Sequence, residues 1–156
     1  MIDHVSNRSP HCFWTIFLLL GVMAGFLSLP LKAETDSKQA AEAAMQTWLG
    51  EIDQGKYDQS WADAAIAFQK AITSPQWVAA LNGARTPVGK CLNRKLASAM
   101  EQTDVPSPSG TQHGDFVIAQ FDSSFENLKY AVETVTFEKA ADGTWKAAGY
   151  YIKPGS

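Results

Sequence analysis

The sequence predicts an α+β domain in which three N-terminal helices pack on a curved, four-stranded antiparallel meander. Apolar residues recur at helical spacing as far as residue 81, and from residue 91 onward they recur at strand spacing. Helices that all precede the strands are typical of an α+β fold rather than of a parallel α/β sheet. The composition, 46% hydrophobic and 19% charged, is that of an ordinary globular protein.

The first 33 residues differ from the rest of the chain. Residues 13–29 (FWTIFLLLGVMAGFLSL) carry no charge, and Pro30-Leu31-Lys32-Ala33 follows. An apolar run and a small residue before a polar stretch are typical of an export signal, and we expect cleavage after Ala33. The alternative is an uncleaved membrane anchor, because the start of the chain is barely positive. Residues 34–156 then form a single domain, and the protein contacts a membrane only if the N-terminal segment stays uncleaved.

Three helices are predicted in order. Asp36 caps the first helix, whose apolar stripe ends before Gly55, a residue suited to the left-handed position after a helix. A second helix repeats the apolar stripe over residues 61–72. Ser74-Pro75 starts a third, shorter helix that carries Trp77 on its apolar face.

Four strands are predicted after the helices. Residues 91–100 form the first strand, and residues 104–114 form a loop because they are rich in proline, serine and glycine. Phe116 to Ala119 is apolar on both faces, as in a central strand. Residues 131–152 form a hairpin around Asp142-Gly143, a strong turn signal between alternating apolar runs.

Two long segments resemble the bacterial domain-of-unknown-function family 4019 (DUF4019). They are AAEAAMQTWLGEIDQGKYDQSWADAAIAFQKAITSPQWVAAL, residues 40–81, and ETVTFEKAADGTWKAAGYYI, residues 133–152. The resemblance implies a small exported protein, located in the bacterial periplasm or secreted. The order of elements is also similar to the nuclear-transport-factor-2-like (NTF2-like) superfamily, which implies a cone-shaped domain whose sheet wraps a pocket. That superfamily includes isomerases, dehydratases, ligand binders and dimerisation modules, so the fold alone does not select a function.

Glu133 is the first candidate for a functional residue. It shares alternation parity with Val135 and Phe137, so its carboxylate is expected on the core face of the sheet. Three roles are open for this carboxylate: a general base, one half of an ion pair, or a solvated residue at the rim of the concave face. Arg94 is expected on the same face two strands away, about 10 Å distant, and we hypothesise that it pairs with Glu133.

The turn around Asp142-Gly143 decides which residue lies opposite Glu133. A two-residue turn places Ile152 opposite, whereas a three-residue loop places Tyr151 there. We take Tyr151 as the hydrogen-bond donor of the pocket and Trp77 as an aromatic residue at its mouth. The candidate ligand-binding pocket therefore consists of Glu133, Arg94, Tyr151 and Trp77.

The predicted function is non-catalytic binding of a small ligand or a protein partner on the concave face of the sheet. Formation of a homodimer is a further alternative. The alternative is a small enzyme of the isomerase or dehydratase type with Glu133 as general base. No motif for a cofactor or a metal is present, and Cys91 remains alone after the export segment, so no internal disulfide is expected. The sequence contains no lysine- and arginine-rich cluster of the kind that binds nucleic acids.

Overall fold

Four helices precede four strands in the computed structural model, which describes residues 30–107 and 110–155. The fold is therefore α+β, as predicted, although the helical part is divided differently. Most of the predicted export segment lies outside the described residues, and the first helix already begins at residue 30. The elements are α1 Pro30–Asp53, α2 Tyr57–Ala62, α3 Ile66–Ala71, α4 Ser74–Arg85, β1 Cys91–Ser107, β2 Gly110–Phe125, β3 Leu128–Lys139 and β4 Trp145–Pro154.

The four strands form one open antiparallel sheet in the order β1-β2-β3-β4. Each strand pairs with its neighbour in the chain, so the predicted meander is confirmed. The register places Arg94 of β1 opposite Ser123 of β2, and Glu133 of β3 opposite Phe121 of β2. The side chains of paired residues point to the same face, so both charged residues project towards the helices.

Helix α1 supplies the largest part of the core. Its predicted apolar stripe is buried, with Met45 and Leu49 fully inaccessible to solvent. The stripe packs on the inner face of the sheet, and the indole N–H of Trp48 donates to the carbonyl of Ser60 at 2.7 Å. This hydrogen bond lets a large aromatic side chain be buried without an unsatisfied donor. The core of the sheet comprises Val117, Ala119, Phe121, Val135, Phe137, Trp145 and Ala147.

The predicted second helix, residues 61–72, is wrong: the chain forms the two short helices α2 and α3 there. The break has a tertiary cause, because the backbone N–H of Ala65 donates to the carbonyl of Ala147 in β4 at 2.8 Å. The side-chain amide of Gln69 then donates to three carbonyls at and just after the end of α2, at 2.9 to 3.1 Å. Contact with the sheet and this substitute donor together replace the continuous helical ladder.

The predicted loop over residues 104–114 is also wrong, because β1 continues to Ser107 and β2 begins at Gly110. Pro106 is tolerated because β1 is an edge strand, and edge strands are where proline is found within sheets. Residues 103–107 and 110–115 pair only with each other in the described part of the chain. We call this two-stranded extension the arm.

The β3–β4 hairpin combines features of both predicted registers. Its turn is the three-residue loop: the N–H of Gly143, at φ 83°, donates to the carbonyl of Ala140 at 2.8 Å. Glu133 nevertheless pairs with Ile152, as in the two-residue prediction. A one-residue bulge at Ala148, between the pairs Phe137–Ala147 and Thr136–Gly149, shifts the register.

The two edges of the sheet are both irregular. The edge of β4 receives the Ala65 N–H from the start of α3. The ladder between the edge strand β1 and its neighbour contains three register shifts, near residues 92, 97 and 104. None of the helices within residues 30–107 and 110–155 combines the length and the apolar character that a membrane span requires.

Candidate functional site

The carboxylate of Glu133 lies in the middle of β3 and is 0% exposed. Strand alternation directs it inward, between the buried side chains of Ala131 and Val135. It accepts five hydrogen bonds from four side chains. A buried carboxylate requires such partners, because an isolated charge inside a protein costs several kcal/mol, on the order of 5.

Arg94 of β1 contacts Glu133, which confirms the predicted ion pair. Its Nε donates to Oε2 at 2.7 Å and its Nη2 donates to Oε1 at 3.1 Å, a bidentate arrangement. Ser123 lies on the intervening strand β2 and donates its hydroxyl to Oε2 at 2.5 Å. The arginine therefore spans one strand, as the parity of the two residues requires.

A second ion pair connects the ends of two helices to the same site. Arg85, the last residue of α4, donates from Nη1 to Glu133 Oε1 at 3.1 Å and from Nη2 to Asp53 Oδ1 at 2.5 Å. Asp53, the last residue of α1, also accepts from Arg94 at 2.6 and 3.0 Å. The two guanidinium groups and the two carboxylates therefore have a net charge of zero. We call the whole set the charge cluster: Asp53, Arg85, Arg94, Ser123, Glu133 and Tyr150.

The pKa values within the charge cluster follow from burial and pairing. Burial alone raises the pKa of Asp53, but the hydrogen bonds and charges of Arg94 and Arg85 outweigh it and hold that pKa below the ordinary value. Burial lowers the pKa of Arg94, and its bonds to Asp53 and Glu133 reverse this and raise it. Burial, followed by the nearby Glu133 charge, raises the pKa of Tyr150 well above its usual range. Charged arginines and a neutral phenol are therefore the stable forms at neutral pH.

Tyr151 does not lie where the sequence predicted it, because its side chain is 62% exposed on the opposite face of the sheet. Tyr150 takes the inner position instead. Its hydroxyl donates to Glu133 Oε1 at 2.7 Å and accepts from Arg85 Nη1 at 3.0 Å. The cause is the bulge at Ala148, which reverses the alternation of β4 before the two tyrosines.

Trp77 lies in the core and not at the mouth of a pocket, being 5% exposed. Its indole N–H donates to the Ser60 hydroxyl at 3.0 Å, and its ring stacks on Trp48 with centroids 6.0 Å apart. Tyr150 approaches the Trp77 ring edge-on at 6.4 Å, so Trp77 supports the charge cluster from behind.

The main grooves on the described surface do not expose Glu133. A groove of about 350 Å³ beside the ends of α1 and α4 touches only Asp53 and Arg85 of the charge cluster. No group of three His, Cys, Asp or Glu side chains within residues 30–107 and 110–155 is placed to hold a metal ion. Burial raises the pKa of the Cys91 thiol, which makes it a poor nucleophile.

The sequence predicted two of the six members of the charge cluster, Arg94 and Glu133. It missed Asp53 and Arg85 because both end helices whose last turns look solvent-facing in sequence. A usable signal existed, since Arg85 and Arg94 are the two arginines that follow residue 33, in a chain where lysine is otherwise the cation. Arginine suits buried bidentate pairs better than lysine does.

A family model described as "Protein of unknown function (DUF4019)" matches residues 43–150, which include every member of the charge cluster. Neither the curated proteins nor the solved structures gave a match.

Proposed function

The chain belongs to the DUF4019 family, whose description assigns no activity, and we propose that it is a non-catalytic binding module that uses the solvent-facing side of its sheet. We define this side as the open face. Its side chains alternate with the buried residues of the strands and include Met100, Ile118, Tyr130, Val132, Thr134 and Tyr151.

The state of Glu133 is the observation that carries the proposal. A general base needs a free lone pair within hydrogen-bond distance of the proton that it removes. Four donor side chains occupy the Glu133 carboxylate, and two of them are arginines that neutralise it. This arrangement favours a structural ion pair over the isomerase or dehydratase alternative.

The packing of the inner face supports the choice of surface. A concave pocket would require open space between the helices and the sheet, yet the side chains there are buried against α1 and α4. The ring of Trp48 packs against those of Phe137 and Tyr150, with centroids 6.0 Å apart in each pair. The sequence predicted binding on the concave face of the sheet. Because that face is filled, we propose binding on the open face instead.

The open face has the mixed character of a recognition surface. Met100, Tyr130 and Tyr151 are 60, 73 and 62% exposed, and they lie among polar side chains such as Thr134. Exposed aromatic and methionine side chains are enriched where proteins bind partners. The helices cover only the inner face, so this side is accessible in the described part of the chain.

We also propose that the protein is exported and that its fold is NTF2-like. The apolar run of residues 13–29 supports export to the bacterial periplasm or beyond, with an uncleaved anchor as the alternative. The order of helices and meander strands supports an NTF2-like arrangement.

An amide NMR screen of the labelled chain with a small-molecule fragment library tests the proposal. We expect fragment-induced shifts at open-face amides, such as those of Ile118 and Thr134, and none at Glu133 or Arg94. A glutamine variant, Glu133→Gln, should keep these shifts if it folds. Fragment shifts centred on the charge cluster would overturn the proposal and indicate a buried site.

A further inference from the structure

A groove of about 590 Å³ crosses one end of the open face, and nothing described so far explains it. We propose that this groove binds a neutral carbohydrate; the inference rests on the proposed function and deepens it. The groove has the size of a typical small-molecule site, about 300 to 1,000 Å³. Its lining includes Asn93, Asp122, Ser124, Lys129, Tyr130 and Val132.

Three strands and the end of β4 build the groove. The backbone N–H of Gly155 donates to the carbonyl of Tyr130 at 2.9 Å, which holds the segment after β4 against β3. A Cβ atom at residue 155 would lie 3.3 Å from the Cβ of Tyr130, so glycine permits this close approach. Sites built on strands hold their side chains more rigidly than sites built on loops do.

Tyr130 supplies a flat apolar surface to the groove. Its side chain is 73% exposed, the largest exposure among the exposed large hydrophobic residues of the described chain. An aromatic ring in water gains free energy when an apolar surface covers it, and Val132 extends the apolar area beside it. The C–H face of a pyranose ring is such a surface.

The polar side chains of the groove are available to a ligand. Within the described residues, the side chains of Asn93, Asp122, Ser124 and Lys129 form no hydrogen bond or ion pair with the rest of the protein. They offer an amide, a carboxylate, a hydroxyl and an ammonium group, so donors and acceptors are both present. A sugar hydroxyl is itself a donor and an acceptor, and it matches this mixture.

The charge of the groove argues against an ionic ligand. Asp122 and Lys129 contribute one negative and one positive charge, and the other lining side chains are uncharged. Selection of an anion or a cation would require an excess of the opposite charge. A neutral polyol with an apolar ring face satisfies both the balance of charge and the exposed aromatic ring.

The floor of the groove is connected to the charge cluster. Ser123 lines the groove, and its hydroxyl donates to the buried Glu133 carboxylate. The backbone of β2 beneath the ligand is therefore fixed by an interaction inside the core. Such support limits the entropy that the site loses on binding.

The test is an NMR and calorimetric titration of the full chain with cellotriose, maltotriose and triacetylchitotriose, each to about 10 mM, a concentration that would reveal even a millimolar Kd. We expect at least one sugar to shift the amides of residues 122–124 and 129–132. Tyr130→Ala should then weaken binding by about tenfold or more, since the stacking surface is lost. Tyr151→Ala, which removes another exposed tyrosine of the open face outside the groove, is the matched control and should bind normally.

Two results would overturn the carbohydrate proposal: no shift with any of the three sugars, or shifts that persist in Tyr130→Ala. Its failure is distinguishable from failure of the proposed function. If the sugars do not bind but fragments still shift other open-face amides, the binding module stands and only the ligand class is wrong. If fragments shift only the amides of Asp53, Arg85, Glu133 and Tyr150, both are wrong.

Discussion

Glu133 is a carboxylate at a position where strand alternation calls for an apolar side chain. Its presence is tolerated because the surrounding residues provide two positive charges, and Asp53 balances the second of them. The net charge of the buried group is zero only while all four ionic side chains are present. Removing any one of them leaves an uncompensated charge in or near the core.

This balance predicts a non-additive result for substitutions of Arg94 and Glu133. Arg94→Met leaves two carboxylates with one arginine, and we expect it to lower the free energy of unfolding by about 3 to 5 kcal/mol. The double variant Arg94→Met, Glu133→Gln restores the balance with Arg85 and Asp53, so it should be more stable than Arg94→Met by at least about 1 kcal/mol. Urea denaturation measures both values. Equal stability of the single and the double variant would contradict the pairing.

The lowered pKa of Asp53 predicts loss of stability in acid. A carboxyl group whose pKa is lower in the folded than in the unfolded state stabilises the protein above its unfolded pKa, and it loses that contribution as the pH falls through the folded pKa. For Asp53 the loss begins below pH 3.8, the ordinary value of the group. Urea unfolding between about pH 2 and pH 6 should show this slope. Asp53→Asn should be less stable at neutral pH but should have a shallower slope below pH 3.8; identical slopes would exclude the linkage.

Sequence reasoning could predict the inward direction of Glu133 and Arg94 because alternation along a strand is a local property. It could not decide which of Tyr150 and Tyr151 faces inward, because that depends on the bulge in β4. The sequence of β4 contains no signal that predicts this bulge. Trp77 was correctly placed on the apolar face of its helix, but periodicity does not say whether that face meets a pocket or a core.

At the scale of elements, the short connection between α4 and β1 positions both arginines of the charge cluster. Gly89 lies in this connection at φ 79°, and its N–H donates to the carbonyl of Arg85 at 3.1 Å. A Cβ atom at residue 89 would lie 2.8 Å from Glu126 Oε2. That carboxylate accepts from the N–H of Lys90, so it is not free to move aside. The turn therefore requires glycine for conformation and for space.

Comparison of two glycine variants tests this requirement. Gly143 has a similar positive φ of 83°, but no atom lies within 4 Å of its added Cβ. Gly143→Ala should cost about 1 to 2 kcal/mol for the left-handed backbone alone. Gly89→Ala should cost at least about 1 kcal/mol more, because overpacking adds to the same backbone penalty. Equal costs by urea denaturation would show that the contact with Glu126 is relieved without strain.

The elements that the sequence predicted well are those whose signals are local. The stripe of α1, the start of α4 at Ser74 and the hairpin turn at Gly143 all occur near the expected positions, although the residue that caps α4 is Thr73. The predicted second helix failed because Ala65 bonds to β4, a partner about eighty residues away in the chain. The strands β1 and β2 were predicted over their inner parts, but their extensions into residues 104–114 were missed, since each extension supports the other across a proline- and serine-rich sequence that favours a loop in isolation.

For the molecule as a whole, the arm is the part of the described sheet in which only β1 and β2 pair with each other. Its residues are mostly exposed, and a two-stranded ribbon without a hydrophobic face is only marginally stable in water. We therefore expect its amides to exchange with solvent by local opening, whereas amides of residues 117–121 exchange only on global unfolding. Native-state hydrogen exchange at increasing urea measures the difference. Equal protection of the two regions would mean that the arm is packed more firmly than its exposure implies.

The irregular edges of the sheet have a consequence for how the protein behaves when crowded. An open sheet normally offers two rows of unpaired backbone groups on which further chains can add as strands, the first step towards fibrils. Here the start of α3 occupies part of one row, and three interruptions in register twist the other. Both edges of the described sheet are therefore poor templates for strand-by-strand growth.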